Sequence, residues 1–407
     1  MSSTATLNQR FMEMITTPTA DPRPFYAELR ERAPVFRTPY GFWYVTSYQL
    51  GVKITRDPYR WFVDPARSST ARPAHEVGSY ALRVWHNSIQ YADGNSHKRL
   101  RRLVNALFAP SAVARLRETV EAVVGDELDR LDGFDEVELK RQFAHRLPTR
   151  VIVDLLGLDS AELDHFIELS DSIAAALEPG VSAQTLRRAD GVWRSAADAV
   201  RVTAAKRRAD PRDDLLSSLV SARDDDSVLS DDELVSLVLA LAVAGQETTA
   251  NMLCNAVYHL LIRPDHLHEL RRDRGLLPGA IEELVRYEPS PRNAVARYAA
   301  EDIEVGGVPI AKGEAVYVGN QAANHDPAEF RDPLVVDLRR NPNRHLGFGT
   351  GAHHCLGAAL ARLELSVALD ALLTRYSRIE LAVPDVRWHP GFVLRALEAL
   401  PLRVATS

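Results

Sequence analysis

The segment Phe348-Gly349-Thr350-Gly351-Ala352-His353-His354-Cys355-Leu356-Gly357 places the tightest constraint on what this chain of 407 residues can fold into. It presents one cysteine from a glycine-rich turn that opens into a helical pattern. Gly349, Gly351 and Gly357 permit backbone geometries that residues with a Cβ resist, so the chain can fold tightly around a bulky group and aim amide hydrogens at a thiolate. From Leu356 onward, Leu360, Leu363, Val367 and Leu373 recur at helical spacing, and the free N–H groups at the start of such a helix favour the anionic form of Cys355. A thiolate held in this way can ligate iron. Read as a lone cysteine, Cys355 fits an ordinary buried thiol as well.

Composition narrows the function classes. A net charge of −6 and an isoelectric point near 6.1 argue against a nucleic-acid protein, which would show a basic excess, and point to small molecules as partners. Cys254 and Cys355 are too few for a disulfide framework and suit a reducing cytoplasm. The start, Met1-Ser2-Ser3-Thr4-Ala5-Thr6, has neither a basic nor an apolar leader region, and no stretch reaches the ~18 charge-free apolar residues of a membrane span. Without a Gly/Ser linker, repeat or composition break, residues 1–407 read as one domain, with about 1–20 expected to lack order.

Short strand patterns sit near both ends. Val35-Phe36-Arg37 and Phe42-Trp43-Tyr44-Val45 flank a Pro39-Tyr40-Gly41 turn, while Ile303 to Val305 and Ala315 to Val318 border glycine turns. Helix-period runs cover roughly 111–131, 136–156, 160–178, 183–207, 230–262 and 277–287, with Asp224-Asp225-Asp226-Ser227 as a loop. The expected class is mainly α with a small β part.

The run at 230–262 predicts the longest helix, about 30 residues or ~45 Å. Ser230 and Glu233 form a capping box at its start. In its middle, Ala244-Gly245-Gln246-Glu247-Thr248-Thr249 collects a glycine, a carboxylate and two β-branched hydroxyl residues, all of which lower helix propensity. A hydroxyl beside a carboxylate can pass protons into a mostly dry pocket. Elsewhere, Glu283 and Arg286 share a helical face, as do His97 and Arg101.

These segments together resemble the cytochrome P450 family from about residue 20 to 402. The cysteine segment matches its heme-binding pattern F-G-x-G-x-H-x-C-x-G, residues 244–248 its A-G-x-[DE]-T pattern, and Glu283-Leu284-Val285-Arg286 its E-x-x-R pattern. The resemblance implies a prism-shaped single domain with heme b between the long helix and the cysteine loop. It makes Cys355 the axial iron ligand, with Phe348, Gly349, Gly357 and Ala244 against the heme. It makes His97, Arg101, Arg297 and His353 the clamp for the two propionates. Thr248 would hold dioxygen and an ordered water, Glu247 would relay protons, and Arg340 of Asp337-Leu338-Arg339-Arg340 would pair with the E-x-x-R residues. One departure is Asp93-Gly94-Asn95, where bacterial members carry Asp-Pro-Pro, and this puts the start of the His97 helix in doubt.

The implied activity is that of a cytoplasmic, monomeric monooxygenase placing one atom of dioxygen into a small organic substrate. No fused redox segment is visible, so electrons from NAD(P)H would arrive through a ferredoxin and a ferredoxin reductase. A peroxide-driven peroxygenase and a heme-based sensor or carrier are the alternatives, and the Glu247–Thr248 pair counts against both. Positions implied to face the substrate are Ala240, Val243, Ala244, Arg292, Asn293, Val295, Val393 and Leu394, with Trp85 and Ile89 from the segment 85–90. The two alanines leave room for a polyketide or macrolide of antibiotic biosynthesis, with a fatty acid or steroid as the alternative. Arg292 and Asn293 are expected to orient a carbonyl or carboxylate of the substrate.

Overall fold

The computed structural model describes residues 3–18, 21–69, 78–158, 163–224 and 227–406. Its centre is the helix Asp231–Leu261, which begins at the expected capping box: the Ser230 amide donates to Glu233 Oε2 (2.9 Å) and the Glu233 amide to Ser230 Oγ (3.2 Å). By length and composition this helix could cross a membrane, but Glu247 keeps its charge-free apolar runs short of 18 residues, as expected from the sequence. Its apolar window is 78% buried inside the protein, so its apolar residues are core.

Helices Arg146–Leu156, Leu163–Ala176, Ala183–Ala209, Leu277–Tyr287 and Ala358–Arg375 all pack against this central helix. Two large apolar clusters result. One joins the central helix to Ala358–Arg375 and Leu277–Tyr287, and the other joins it to Ala183–Ala209 and the Trp85 region. Leu241 of the central helix and Leu356 beside the cysteine pack against both clusters, so the helix and the cysteine loop meet at the seam between them.

The β part lies to one side. Five strands run in the order Val35–Arg37, Trp43–Val45, Ala315–Val318, Arg297–Ala299 and Trp61–Phe62; Trp43–Val45 pairs parallel to Ala315–Val318 and the other pairs are antiparallel. This sheet delivers Arg297 toward the centre of the molecule. A second sheet joins Tyr376–Leu381, Pro401–Thr406 and Glu136–Glu138.

Several expectations change. The start of the 136–156 run is a strand, because Val137 is needed opposite Leu402 in the second sheet, and helix resumes only after a π-helical turn over Lys140–Ala144. Residues 3–16, expected to lack order, form a helix whose Phe11 is completely buried against Phe36, Tyr44 and Phe392; residues 1, 2, 19 and 20 lie outside the described set. The 160–178 helix is described from Leu163, and residues 225 and 226 of the acidic loop also lie outside, between two short paired strands.

The E-x-x-R residues are scaffold, and deeply so. Glu283 and Arg286 are fully buried, paired at 2.8 Å through Arg286 Nε, and Arg340 Nε adds a 3.0 Å bond to Glu283. Arg286 also donates to the carbonyls of Asn324 (2.8 Å) and Pro333 (2.9 Å). Every donor thus has a destination, which is the condition for a charge to be tolerated without water.

Candidate active site

The cysteine loop is shaped by close backbone approaches. Gly349 and Gly351 adopt φ of +67° and +75°, and a Cβ on Gly351 would stand 2.4 Å from the Thr55 carbonyl oxygen. Both glycines are therefore required by geometry. The Cys355 amide donates to the Phe348 carbonyl (2.9 Å), closing the loop just ahead of Gly357, the cap of helix Ala358–Arg375.

The Cys355 side chain is exposed, yet protein surrounds it on most sides. Burial pushes its thiol up, against the Gly357 amide and the Arg101 and Arg362 charges, which pull it down. The helix N-terminus alone therefore does not secure the anion expected from the sequence. Coordination to a metal would, since a metal-bound thiol is deprotonated outright.

His97, Arg101, Arg297 and His353 come together. The His97 and His353 rings stand 4.2 Å apart, Arg101 donates to the His354 carbonyl (2.9 Å), and Arg297 is buried with Nη1 on the Val295 carbonyl (2.8 Å). Burial, then Arg297, His97 and Arg101, drives His353 down to about 2, and burial lowers Arg297 to about 10. Four groups of this kind in one place oppose one another's charge. His97 Nε2 is in addition buried without a hydrogen-bond partner.

The departure at Asp93-Gly94-Asn95 does not loosen the helix Gly94–Asn105. Asp93 accepts from the amides of Val63 (3.1 Å) and Asp64 (3.1 Å), and Gly94 takes φ +54°, which proline cannot reach.

Most of the central helix is buried, but Leu241, Ala244, Gly245 and Thr248 are partly or wholly accessible. Their spacing of three, four and seven puts them on one face. Thr248 Oγ1 donates to the Ala244 carbonyl (2.7 Å). Glu247 points elsewhere: Oε1 accepts from Asn251 Nδ2 (2.7 Å), and Oε2 lies 3.9 Å from His145 Nε2. Burial, then the field of Glu247, raises nearby Asp171 to about 6.

The cytochrome P450 family profile matches residues 183–396. Cytochrome P450 107B1 of Saccharopolyspora erythraea is 41% identical, over 93% of this chain and 94% of that protein. The chain belongs to the cytochrome P450 family. Mycinamicin IV hydroxylase/epoxidase of Micromonospora griseorubida is 38% identical over 93% and 94% of the two chains. Among solved structures, P450BioI bound to an acyl carrier protein superposes with a TM-score of 0.88 at 32% identity, covering 95% and 99%, and the tirandamycin C-bound monooxygenase TamI with 0.85 at 34%, covering 95% and 98%. The protein is thus a heme b monooxygenase using dioxygen and electrons from redox partners.

The remaining P450 positions divide. Ala240, Val243, Trp85 and Ile89 share one buried apolar cluster, in which Trp85 is held edge-on against Trp193 (6.0 Å). Val393 and Leu394 lie in a C-terminal loop, half-buried like Asn293 and Val295. Arg292, expected to meet the substrate, also has partners within the protein. It is buried with Nη1 on the carbonyl of Gly391 (2.9 Å), while its amide donates to Val393 and Asn293 Nδ2 donates to Phe392 (2.6 Å). These carbonyls satisfy part of the guanidinium, and Arg292 Nε stays buried without a hydrogen-bond partner.

Four residues escaped the sequence reading. Arg362 stands over the Phe348 ring at 4.4 Å and pairs with Glu282 through two bonds (2.6 and 2.8 Å). Its spacing of seven from Cys355 could have flagged it. Asn251, four after Glu247, was readable in the same way. His145 and Asp171 reach Glu247 only through tertiary packing and left no sequence signal.

Proposed function

We propose that the P450 hydroxylates or epoxidises a polyketide or macrolide-type substrate in antibiotic biosynthesis. Cys355 holds the heme iron and His97, Arg101, Arg297 and His353 hold its propionates. The observation that carries the assignment is the convergence of four cationic or imidazole groups, one with an unpartnered buried nitrogen, beside the cysteine loop. Two propionates relieve both the mutual repulsion and the orphaned His97 Nε2. A Cβ on Gly245 or Gly357 would enter open space, so both elements leave a cradle for a flat group at Ala244, Phe348 and Gly349.

Heme, when bound, supplies the activation of dioxygen. The chain's own residues govern protons and water. Thr248 Oγ1 exchanges its bond to the Ala244 carbonyl for one to dioxygen while accepting from water, and Glu247 Oε2 carries the replacement proton. The apolar wall of Ala240, Val243, Trp85 and Ile89 excludes bulk water, and Val295, Val393 and Leu394 bound the substrate with Asn293. Names of relatives support the substrate class, among them 6-deoxyerythronolide B hydroxylase at 37% identity. Residues 1–407 act as one catalytic domain, monomeric and cytoplasmic, receiving electrons from a ferredoxin and its reductase.

Two variants test the roles. Cys355→Ser abolishes the reduced carbon-monoxide absorption of a thiolate-ligated heme; its survival would remove Cys355 from the iron. Thr248→Ala keeps heme and substrate binding but diverts oxygen to peroxide, slowing product formation by about 10²-fold, at the low end for a lost proton-transfer group. Parental product per nicotinamide consumed would eliminate the relay. A macrolactone panel, read by the optical shift on substrate binding, tests the substrate class, and no response to any macrolactone would refute it.

A further inference from the structure

On the side of Glu247 away from Thr248's hydrogen bond, three potential ligands meet. We propose that His145, Asp171 and Glu247 form a binding site for a zinc-class divalent cation, and that its occupation arrests proton delivery. The arrest rests on the reading of Glu247 as the relay acid; the binding site does not.

The three side chains each offer one ligand atom, and these atoms lie within 4.8 Å of one another. His145 Nε2 and Glu247 Oε2 are both buried without a partner at hydrogen-bonding geometry, and Asp171 stands close enough to Glu247 for the two carboxyl groups to interact. Their side chains are 8% and 10% exposed, and the two atoms are 3.9 Å apart. Buried polar atoms left unpaired are costly, and a cation between them satisfies both at once. Asn251 fixes Glu247 Oε1 at 2.7 Å and so leaves Oε2 as the ligating oxygen, the kind of outer support that metal-binding carboxylates need.

The backbone prepares the position of His145. It follows the π-helical turn Lys140–Ala144, where its amide donates five residues back to the Lys140 carbonyl (2.9 Å), and this single wide turn sets the ring toward the central helix. Asp171 comes from the helix Leu163–Ala176 and is exposed in a cleft of about 760 Å³, which His145 also lines. That cleft is the entry path.

Ligand chemistry selects the ion. One imidazole and two carboxylates leave a fourth position for water, the open tetrahedral pattern of zinc, whereas magnesium and calcium favour oxygen alone. Ligating atoms around zinc stand roughly 3.3–3.6 Å apart at bond lengths of about 2.0–2.2 Å, so closure needs up to about 1.5 Å of movement. The exposed Asp171 can supply it by rotation. Lys140 opposes a dication here, although its ammonium is already held by the Leu397 carbonyl (2.7 Å). Two carboxylates against one ammonium leave the balance with the cation.

Calorimetric titration of the heme-loaded enzyme with zinc chloride, with magnesium chloride as control, is the test. One zinc per chain is expected and no magnesium. His145→Gln and Asp171→Asn, each first shown to retain heme, should bind zinc weaker by about tenfold or more, at least the cost of losing a supporting partner. Zinc binding equal in the parent and both variants, or absent from the parent, overturns the site. Turnover with reconstituted redox partners gives the second arm: zinc should inhibit the parent and spare His145→Gln. Stoichiometric binding with unchanged turnover would overturn the arrest and count against Glu247 as the relay acid, while the site itself would stand.

Discussion

Arg297 and Arg292 are both buried arginines that enter from the same stretch of chain, yet they stand in opposite circumstances. Arg297 lies among His97, His353 and Arg101, with Asp93 as the carboxylate whose field reaches it, and that carboxylate is already engaged by two amides. Arg292 donates through Nη1 to the carbonyl of Gly391 and helps to hold the C-terminal loop, with its Nε left unpartnered. Glu178 grips the same loop through the amides of Phe392 (2.7 Å) and Val393 (2.9 Å). Charge left in excess marks where a ligand supplies the balance, and charge satisfied from within marks structure. The Glu283–Arg286–Arg340 network is the extreme of the second kind.

The comparison breaks most visibly at that network. Glu283→Ala leaves the Arg286 guanidinium buried without its carboxylate, and the expected loss is about 3–5 kcal/mol of stability, read from denaturant melts. Arg297→Leu, by contrast, loses the bond to the Val295 carbonyl but relieves repulsion that offsets it: the heme-free protein should keep its stability to within about 1 kcal/mol, while heme is lost faster to an acceptor protein. Equal destabilisation by the two substitutions would erase the distinction.

A smaller effect is expected at Arg292. Arg292→Leu strands the half-buried Gly391 carbonyl and should cost about 1–3 kcal/mol, with the site of substrate oxidation unchanged. A shifted product distribution at parental stability would instead return Arg292 to the substrate.

What could be read from the sequence follows the same division. The cysteine loop, the 244–248 segment, the capping box and the Glu283–Arg286 pair are local, with partners three to ten residues apart, and each was visible as spacing. The helix Leu277–Tyr287 appeared with its observed bounds. What the sequence hid depends on distant partners. Residues 136–138 read as helix because the strand they pair with lies at 401–403. Arg292, placed at the substrate by the family resemblance, has a second partner in the Gly391 carbonyl, 99 residues away, which nothing local announces. The helical N-terminal segment was hidden likewise, since the aromatic cluster that buries Phe11 comes from the hairpin of Phe36 and Tyr44 and from distant Phe392.

The finest test lies between the two extremes, at Glu282 and Arg362. Arg362 stacks on Phe348 of the cysteine loop and is held there by two bonds from Glu282, which also meets His345 at 3.1 Å. Burial raises the Glu282 carboxyl, but Arg362 and His345 outweigh it and bring it from 4.5 down to about 2. Because the folded value is depressed, the contribution is present above about pH 4.5 and is lost as the pH falls toward 2. Arg362 is 39% exposed, so solvent screening reduces the pair to about 1 kcal/mol. Glu282→Gln should therefore lower stability by about that amount at neutral pH, and the gap from the parent should fall to less than half by about pH 3. Urea melts of both proteins across this range provide the reading. A gap that stayed constant with pH would mean that Glu282 acts through packing alone, and that the loop's arginine is held by the Phe348 ring without need of the carboxylate.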